Sequence, residues 1–177
     1  MRYSYRVNNA PGAAALMTLR MIVGAFMAAP IFIAFAMFFV FITPDSTVRF
    51  GPPLLVPVVL GVVAFLLQNL AGFRAAAIPV GTPRRSYVAD FQSKLFLRLA
   101  LAEAVMIVCM ALAFVFLDTG FGVFVLGALI TEILLVVNGW PSERVIEKYR
   151  RALERDGGQS WLREDLGLST SGLPGSF

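Results

Sequence analysis

The sequence predicts an all-α, polytopic membrane fold: a bundle of four transmembrane helices, then a C-terminal cytosolic amphipathic helix. Three observations carry this. The 177 residues are 58% hydrophobic and 15% charged, with a mean hydropathy of +0.78, whereas soluble domains are about 45–50% apolar and about 25% charged. The apolar residues fall in four blocks, each close to the roughly 20 residues that a helix needs to cross a bilayer. The charges flank those blocks instead of interrupting them.

Residues 1–19 read as a cytosolic leader with Arg2, Arg6 and a turn signal at Pro11-Gly12. The first span covers residues 20–42. Ala34-Phe35-Ala36 resembles a signal-peptide cleavage site, but apolar residues continue past it to Ile42, which favours an uncleaved helix. Pro30 falls mid-span and should kink it. Gly24/Ala28 and Ala25/Ala29 put small residues at i, i+4, a pattern suited to close helix contact. Thr43–Pro53 is a loop by its Pro, Gly, Asp and Ser content. The second span, residues 54–73, carries Gln68 and Asn69 about one turn before Arg74.

The stretch Tyr87–Leu117 begins polar and basic and turns apolar after Arg98, with Glu103 just inside. It reads as a helix rising from cytosolic water into lipid, its span being residues 95–117. Asp118-Thr119-Gly120 makes a tight turn. The fourth span, residues 121–140, contains Glu132 and ends at Trp140, a headgroup-level anchor, and Pro141. Residues 141–158 form a different kind of helix: in Ser142–Asp156, Val145, Tyr149, Ala152 and Leu153 make an apolar stripe at helical spacing, and Glu147 precedes Arg151 in the favourable i, i+4 order. Residues 159–177 read as a flexible tail.

Fourteen of the 15 Lys and Arg lie in the leader with Arg20, in the 74–98 segment and in the C-terminal segment, leaving only Arg49 elsewhere. By the positive-inside rule both termini and the middle connection are cytosolic, in a cytoplasmic or inner membrane. Four spans return the chain to its starting side, in agreement. This placement also argues against nucleic acid as the partner of a chain with net charge +4. The absence of histidine excludes His-dependent nucleophilic sites, His-ligated haem and His-containing zinc sites. The single Cys109 lies in an apolar run, and no Walker A, GxGxxG, GxSxG or HExxH motif occurs. No cofactor is expected, and an enzyme is disfavoured.

The candidate site residues are the polar groups at membrane depth: Glu103, Glu132, Asn69, Gln68, Arg98 and Arg20. At 1.5 Å rise per residue, Glu103 lies roughly 7 Å beyond Arg98, Glu132 roughly 12 Å from Trp140, and Gln68 and Asn69 about 8 Å from Arg74. All fall in the same half of the membrane. An ionisable group there is costly and is a functional-site hypothesis by default. One reading is a structural layer in which Glu103 pairs with Arg20, Arg98 or an amide. The other is that Glu103, Glu132 or both bind and release a proton or cation. A neutral Glu132 hydrogen-bonded to Asn69 or Gln68 fits either. The segments led by Arg20 and Arg98 also align weakly with one another, as a duplicated pair of spans would.

Phe91-Gln92-Ser93-Lys94, followed by Arg98-Leu99-Ala100-Leu101-Ala102-Glu103-Ala104 and later by Pro141-Ser142-Glu143-Arg144, resembles a family of uncharacterised bacterial four-span membrane proteins. These carry an R-x-A-L-x-E-(A/G) third span, and the resemblance implies the fold but no activity. The intramembrane carboxylates also resemble those of the c- or K-type proteolipid subunits of rotary ATPases. That resemblance implies an ion carrier at Glu132 or Glu103, although the first span has only Gly24 where proteolipids have dense glycine repeats. The functional expectation is a non-enzymatic accessory or scaffold subunit of a membrane complex, the alternative being an oligomeric proton- or ion-translocating subunit. The expected partners are the bilayer, a protein partner or further copies of the chain, and anionic lipid at the cytosolic helix.

Overall fold

In the computed structural model, which describes residues 10–41, 51–116 and 118–168, the regular structure is helical, with one isolated bridge between Pro79 and Gly157. Helix α1 is Ala10–Phe41, α2 Leu55–Leu70, α3 Val88–Ala113 and α4 Gly120–Leu134. A 3-10 turn, Pro52–Leu54, leads into α2, and a π turn, Leu135–Gly139, prolongs α4. Two shorter helices follow, α5 (Glu143–Leu153) and α6 (Leu162–Asp165). Four of these segments are long and apolar enough to cross a membrane: 12–41, 52–70, 88–113 and 120–139. The protein is thus a multi-pass membrane protein by length and composition of its helices.

The outer surface fits that environment. Phe32 is 72% exposed, Phe35 66% and Leu55 66%, large apolar side chains at a surface that suits lipid better than water. The bundle interior is filled by Val23, Leu99, Ala102, Cys109, Val123 and Leu135, all fully buried. At the end remote from α5, Phe41 stacks near Phe114 at 5.2 Å between centroids, and Phe38 near Phe121 at 6.3 Å, so α1 closes over the α3–α4 hairpin.

Several expectations change. Helix α1 starts at Ala10, so residues 10–19 are helical and Pro11-Gly12 makes no turn; the two sit in the first turn of the helix, where proline lacks no bond it would otherwise make. It runs through a buried Pro30 without a break. Among the described residues, a Cβ at Gly24 of α1 would meet nothing within 4 Å, and Ala25 and Ala29 are exposed, so these small residues serve no close contact there. Close approach comes instead at Gly61 against Ile130 and at Gly127 against Cys109. The two halves are not equivalent at their leading arginines, since Arg20 is exposed and Arg98 fully buried. Residues 1–9 of the leader, 43–50 of the first loop and 169–177 of the tail lie outside the described residues.

The C-terminal region is the largest correction. Residues 159–168 do not form a tail: Ser160, Leu162 and Leu166 are fully buried, and the α6 end packs on the first turns of α1, where a Cβ on Gly12 would lie 2.5 Å from the Gly167 nitrogen. The apolar stripe of α5 was expected to be free for a partner or lipid. Val145, Ile146, Tyr149 and Leu153 are instead buried against the chain's own bundle, with Tyr149 edge-on to Phe91 at 5.4 Å. Ser142 caps α5 by accepting from the Val145 nitrogen. The 74–87 connection is tied into the same layer. Ile78 donates to the Leu153 carbonyl and accepts from Gly158, and Arg84 pairs with Asp165 and lies over the Trp161 ring.

A polar chain stiffens this cap. Arg150 donates to both Glu147 oxygens at 2.8 Å and to Glu154 at 2.6 Å, and Glu154 accepts from the Ser160 amide and hydroxyl. The Arg150 bonds, and next those of Arg151, hold the Glu147 carboxyl down to about 2 from 4.5. A depressed carboxylate stabilises the fold fully above its unfolded value and loses that contribution as pH falls through the folded one. Acid between pH 4.5 and 2 should therefore loosen the cap. With Glu147 about one-fifth exposed, screening leaves an effect of about 1 kcal/mol. Glu147→Gln should remove the acid-dependent change in tryptophan emission over that range; a change that survives the substitution would place its origin at another carboxyl.

Candidate functional site

The residues singled out in the sequence form two separate constellations, with Arg20 in neither. Arg20 is exposed on α1.

The first constellation locks α2, α3 and α4 together near the end that carries α5. The fully buried Gln68 of α2 donates from Nε2 to the Arg98 carbonyl of α3 at 2.8 Å and accepts at Oε1 from Asn138 Nδ2 at 2.9 Å. The π turn at the end of α4, closed by the Trp140 amide on the Leu135 carbonyl at 2.7 Å, places Asn138 on the buried side. Asn69, one position along, faces outward. It donates to the Phe65 carbonyl and accepts from Lys148 Nζ of α5.

Arg98 is fully buried, and no carboxylate among the described residues lies within ion-pair distance. Its guanidinium stands over the Phe73 ring at 4.2 Å and near Phe91 at 5.5 Å, and Nη1 lies 3.5 Å from the Gly72 carbonyl. Nε and Nη2 have no hydrogen-bond partner among the described residues. Aromatic faces therefore replace the acid that the sequence proposed as its partner, an arrangement contributing about 2 kcal/mol when desolvated. Lys148 Nζ also lies over the Phe73 ring, at 3.9 Å.

The second constellation is the carboxyl pair. Thr131 Oγ1 of α4 donates to the Ala102 carbonyl of α3 at 3.0 Å, with both residues fully buried. Their chain neighbours Glu132 and Glu103 consequently lie at the same level of an antiparallel pair of helices. One step along each of two antiparallel helices rotates to the same side of their common plane, so the two acids flank one another. Each is half-buried, and Oε1 of each is fully covered with no hydrogen-bond partner among the described residues. The pairing of Glu103 with Arg20, Arg98 or an amide does not occur, nor does a Glu132 bond to Asn69 or Gln68. Those amides are occupied in the first constellation.

Glu132 sits seven residues from Gly139, so roughly 10 Å inside the span. In α1, Pro30 is buried two turns before Met37, which packs with Phe124 and Ala128 of α4. A proline at 30 leaves the carbonyl four residues earlier, that of Phe26, without its helical donor. Sequence reasoning missed Thr131, Asn138, Phe73 and Lys148 as working parts. Only Asn138 carried a signal, as a buried-type amide closing an apolar span.

Among the described residues, no three His, Cys, Asp or Glu side chains converge as a metal site. No family model matches the chain, and no curated protein or solved structure matches it either.

Proposed function

We propose that this is a non-enzymatic subunit of a membrane assembly whose Glu103–Glu132 pair takes up and releases a proton or small cation. The observation that carries the reading is the pair itself. Two carboxyls share one level of the bundle, each with a fully covered oxygen that has no donor among the described residues. Two like charges that close do not both ionise cheaply, so the pair favours one shared proton or one bound cation. Because both side chains are only half-buried, their remaining surface faces lipid unless another helix covers it. That favours an assembly, either further copies of this chain or a partner, over a lone monomer. On this reading the α5 end, rich in Lys and Arg, faces the cytosol, as the charge bias requires.

The test is proton or cation flux in liposomes holding the full chain. Glu103→Gln and Glu132→Gln should each reduce pH-dependent flux by about tenfold or more, as loss of one partner of a shared-proton pair does. A second reading, that the two acids act as polar contacts to a neighbouring helix, is favoured by the same half-exposure. It predicts that flux is absent in the wild type and that the Gln variants lose oligomer or complex on native mass spectrometry. Unchanged flux and unchanged assembly in both variants would remove both readings.

A further inference from the structure

We propose that the basic cleft between the 74–87 connection, α3 and α5 binds the phosphate headgroup of an anionic phospholipid. The cleft has a volume of about 520 Å³. Arg74, Arg85, Lys94 and Arg155 line it, and the only acid on its wall among the described residues is Asp90, which Arg85 already engages at 3.0 Å. Lys94 is tethered at its tip, where Nζ donates to the Ala71 carbonyl at 3.4 Å and keeps its other two N–H groups. Arg155 reaches Asp156 only at 4.0 Å. The cleft therefore holds cationic charge in excess of its own acids.

A basic surface by itself is an ordinary solvated face, and two further observations separate this cleft from one. Tyr149, nearly fully buried, forms its inner wall. Behind Tyr149 stands Phe91, and behind that the buried Arg98, whose guanidinium has no acidic partner and two unpartnered nitrogens among the described residues. A buried cation so close, seen through a layer of rings of low dielectric, adds to the positive potential of the cleft. The second observation is what borders it. Ser93 lines the cleft, and Leu97, one turn further along the same face of α3, is exposed; so is Leu70 at the end of α2. A charged concavity opening directly beside lipid-facing apolar side chains fits an amphiphile, its headgroup in the cleft and its chains along α2 and α3. A free phosphate would use only the first half of that surface.

The experiment is native mass spectrometry of the full chain in neutral detergent, titrated with phosphatidylglycerol, with phosphatidylcholine and with inorganic phosphate. The wild type should retain phosphatidylglycerol over phosphatidylcholine. The Arg74→Gln/Arg155→Gln variant should lose that affinity by roughly tenfold or more, because each basic residue at an anionic surface contributes a several-fold factor. Arg151→Gln, exposed and outside the cleft, should bind as the wild type does. Equal affinity for phosphatidylglycerol in the wild type and the double variant overturns the proposal. Full competition by millimolar inorganic phosphate overturns the lipid assignment in favour of a free phosphate. If the double variant does not fold, the wild type still decides. Phosphatidylglycerol must then protect Arg74 and Arg155 from an arginine-modifying dicarbonyl while leaving Arg151 reactive, and equal reactivity of all three refutes the site. Neither arm reads flux, so the outcome is independent of the carboxyl pair.

Discussion

Gly127→Leu should separate α3 from α4 and cost about 3 kcal/mol of stability, the upper part of the range for overpacking a filled core. A Cβ at position 127 would lie 2.5 Å from the Cys109 Cβ and 2.6 Å from its Sγ. The Cβ atom is fixed to the α3 backbone, so no rotamer change relieves the overlap and the helices must part. The same interface carries Glu103 and Glu132 one to two turns away, so the wedge should also spread the carboxyl pair. Thermal unfolding in detergent checks this. The rescue is more informative than the loss: Cys109→Gly deletes the two colliding atoms, and Gly127→Leu/Cys109→Gly should recover a large part of the stability. Strictly additive effects in the four-member cycle would show that 127 and 109 do not share the strain.

Hydropathy and charge bias made the bundle legible. Each of the four expected spans overlaps a helix of membrane length, 12–41, 52–70, 88–113 and 120–139, because a span announces itself by a long apolar run whatever its neighbours do. The α5 stripe was legible too, as Val145, Tyr149 and Leu153 at helical spacing. Its destination was not, since periodicity says which face is apolar and not whether that face meets lipid, a partner or the chain's own Phe91. Residues 159–168 were misread for a related reason. Leu162 and Leu166 are too few to signal packing locally, and their burial depends on the distant first turns of α1. Within the site, composition placed the polar residues at one depth, but pairing depends on rotation about each helix axis. Arg98 turned toward Phe73 and Phe91 instead of Glu103, and the acids fell on one side of the α3–α4 pair, away from the amides. Aromatic side chains as partners for a buried cation leave no mark that distinguishes them from ordinary span residues.

Gln68→Leu should weaken the packing of α2 against the α3–α4 hairpin by about 1–2 kcal/mol. The substitution removes one donor, to the Arg98 carbonyl, and one acceptor, for Asn138 Nδ2. Leaving a buried amide without its acceptor costs about 1–3 kcal/mol in a protein interior. Measured hydrogen bonds between membrane helices average lower, about 0.6 kcal/mol, because the separated helices find other partners. Asn138 is held on the buried side by the π turn and has little freedom to find one, which favours the upper figure. The double variant Gln68→Leu/Asn138→Leu discriminates between loss of a bond and loss of shape. If the cost lies in the stranded Asn138 amide, removing it as well should return about half the stability, since an apolar pair of similar size needs no partner. A double variant weaker than either single one would mean that Asn138 works mainly through the π turn, and that Gln68 follows the geometry of that turn instead of setting it.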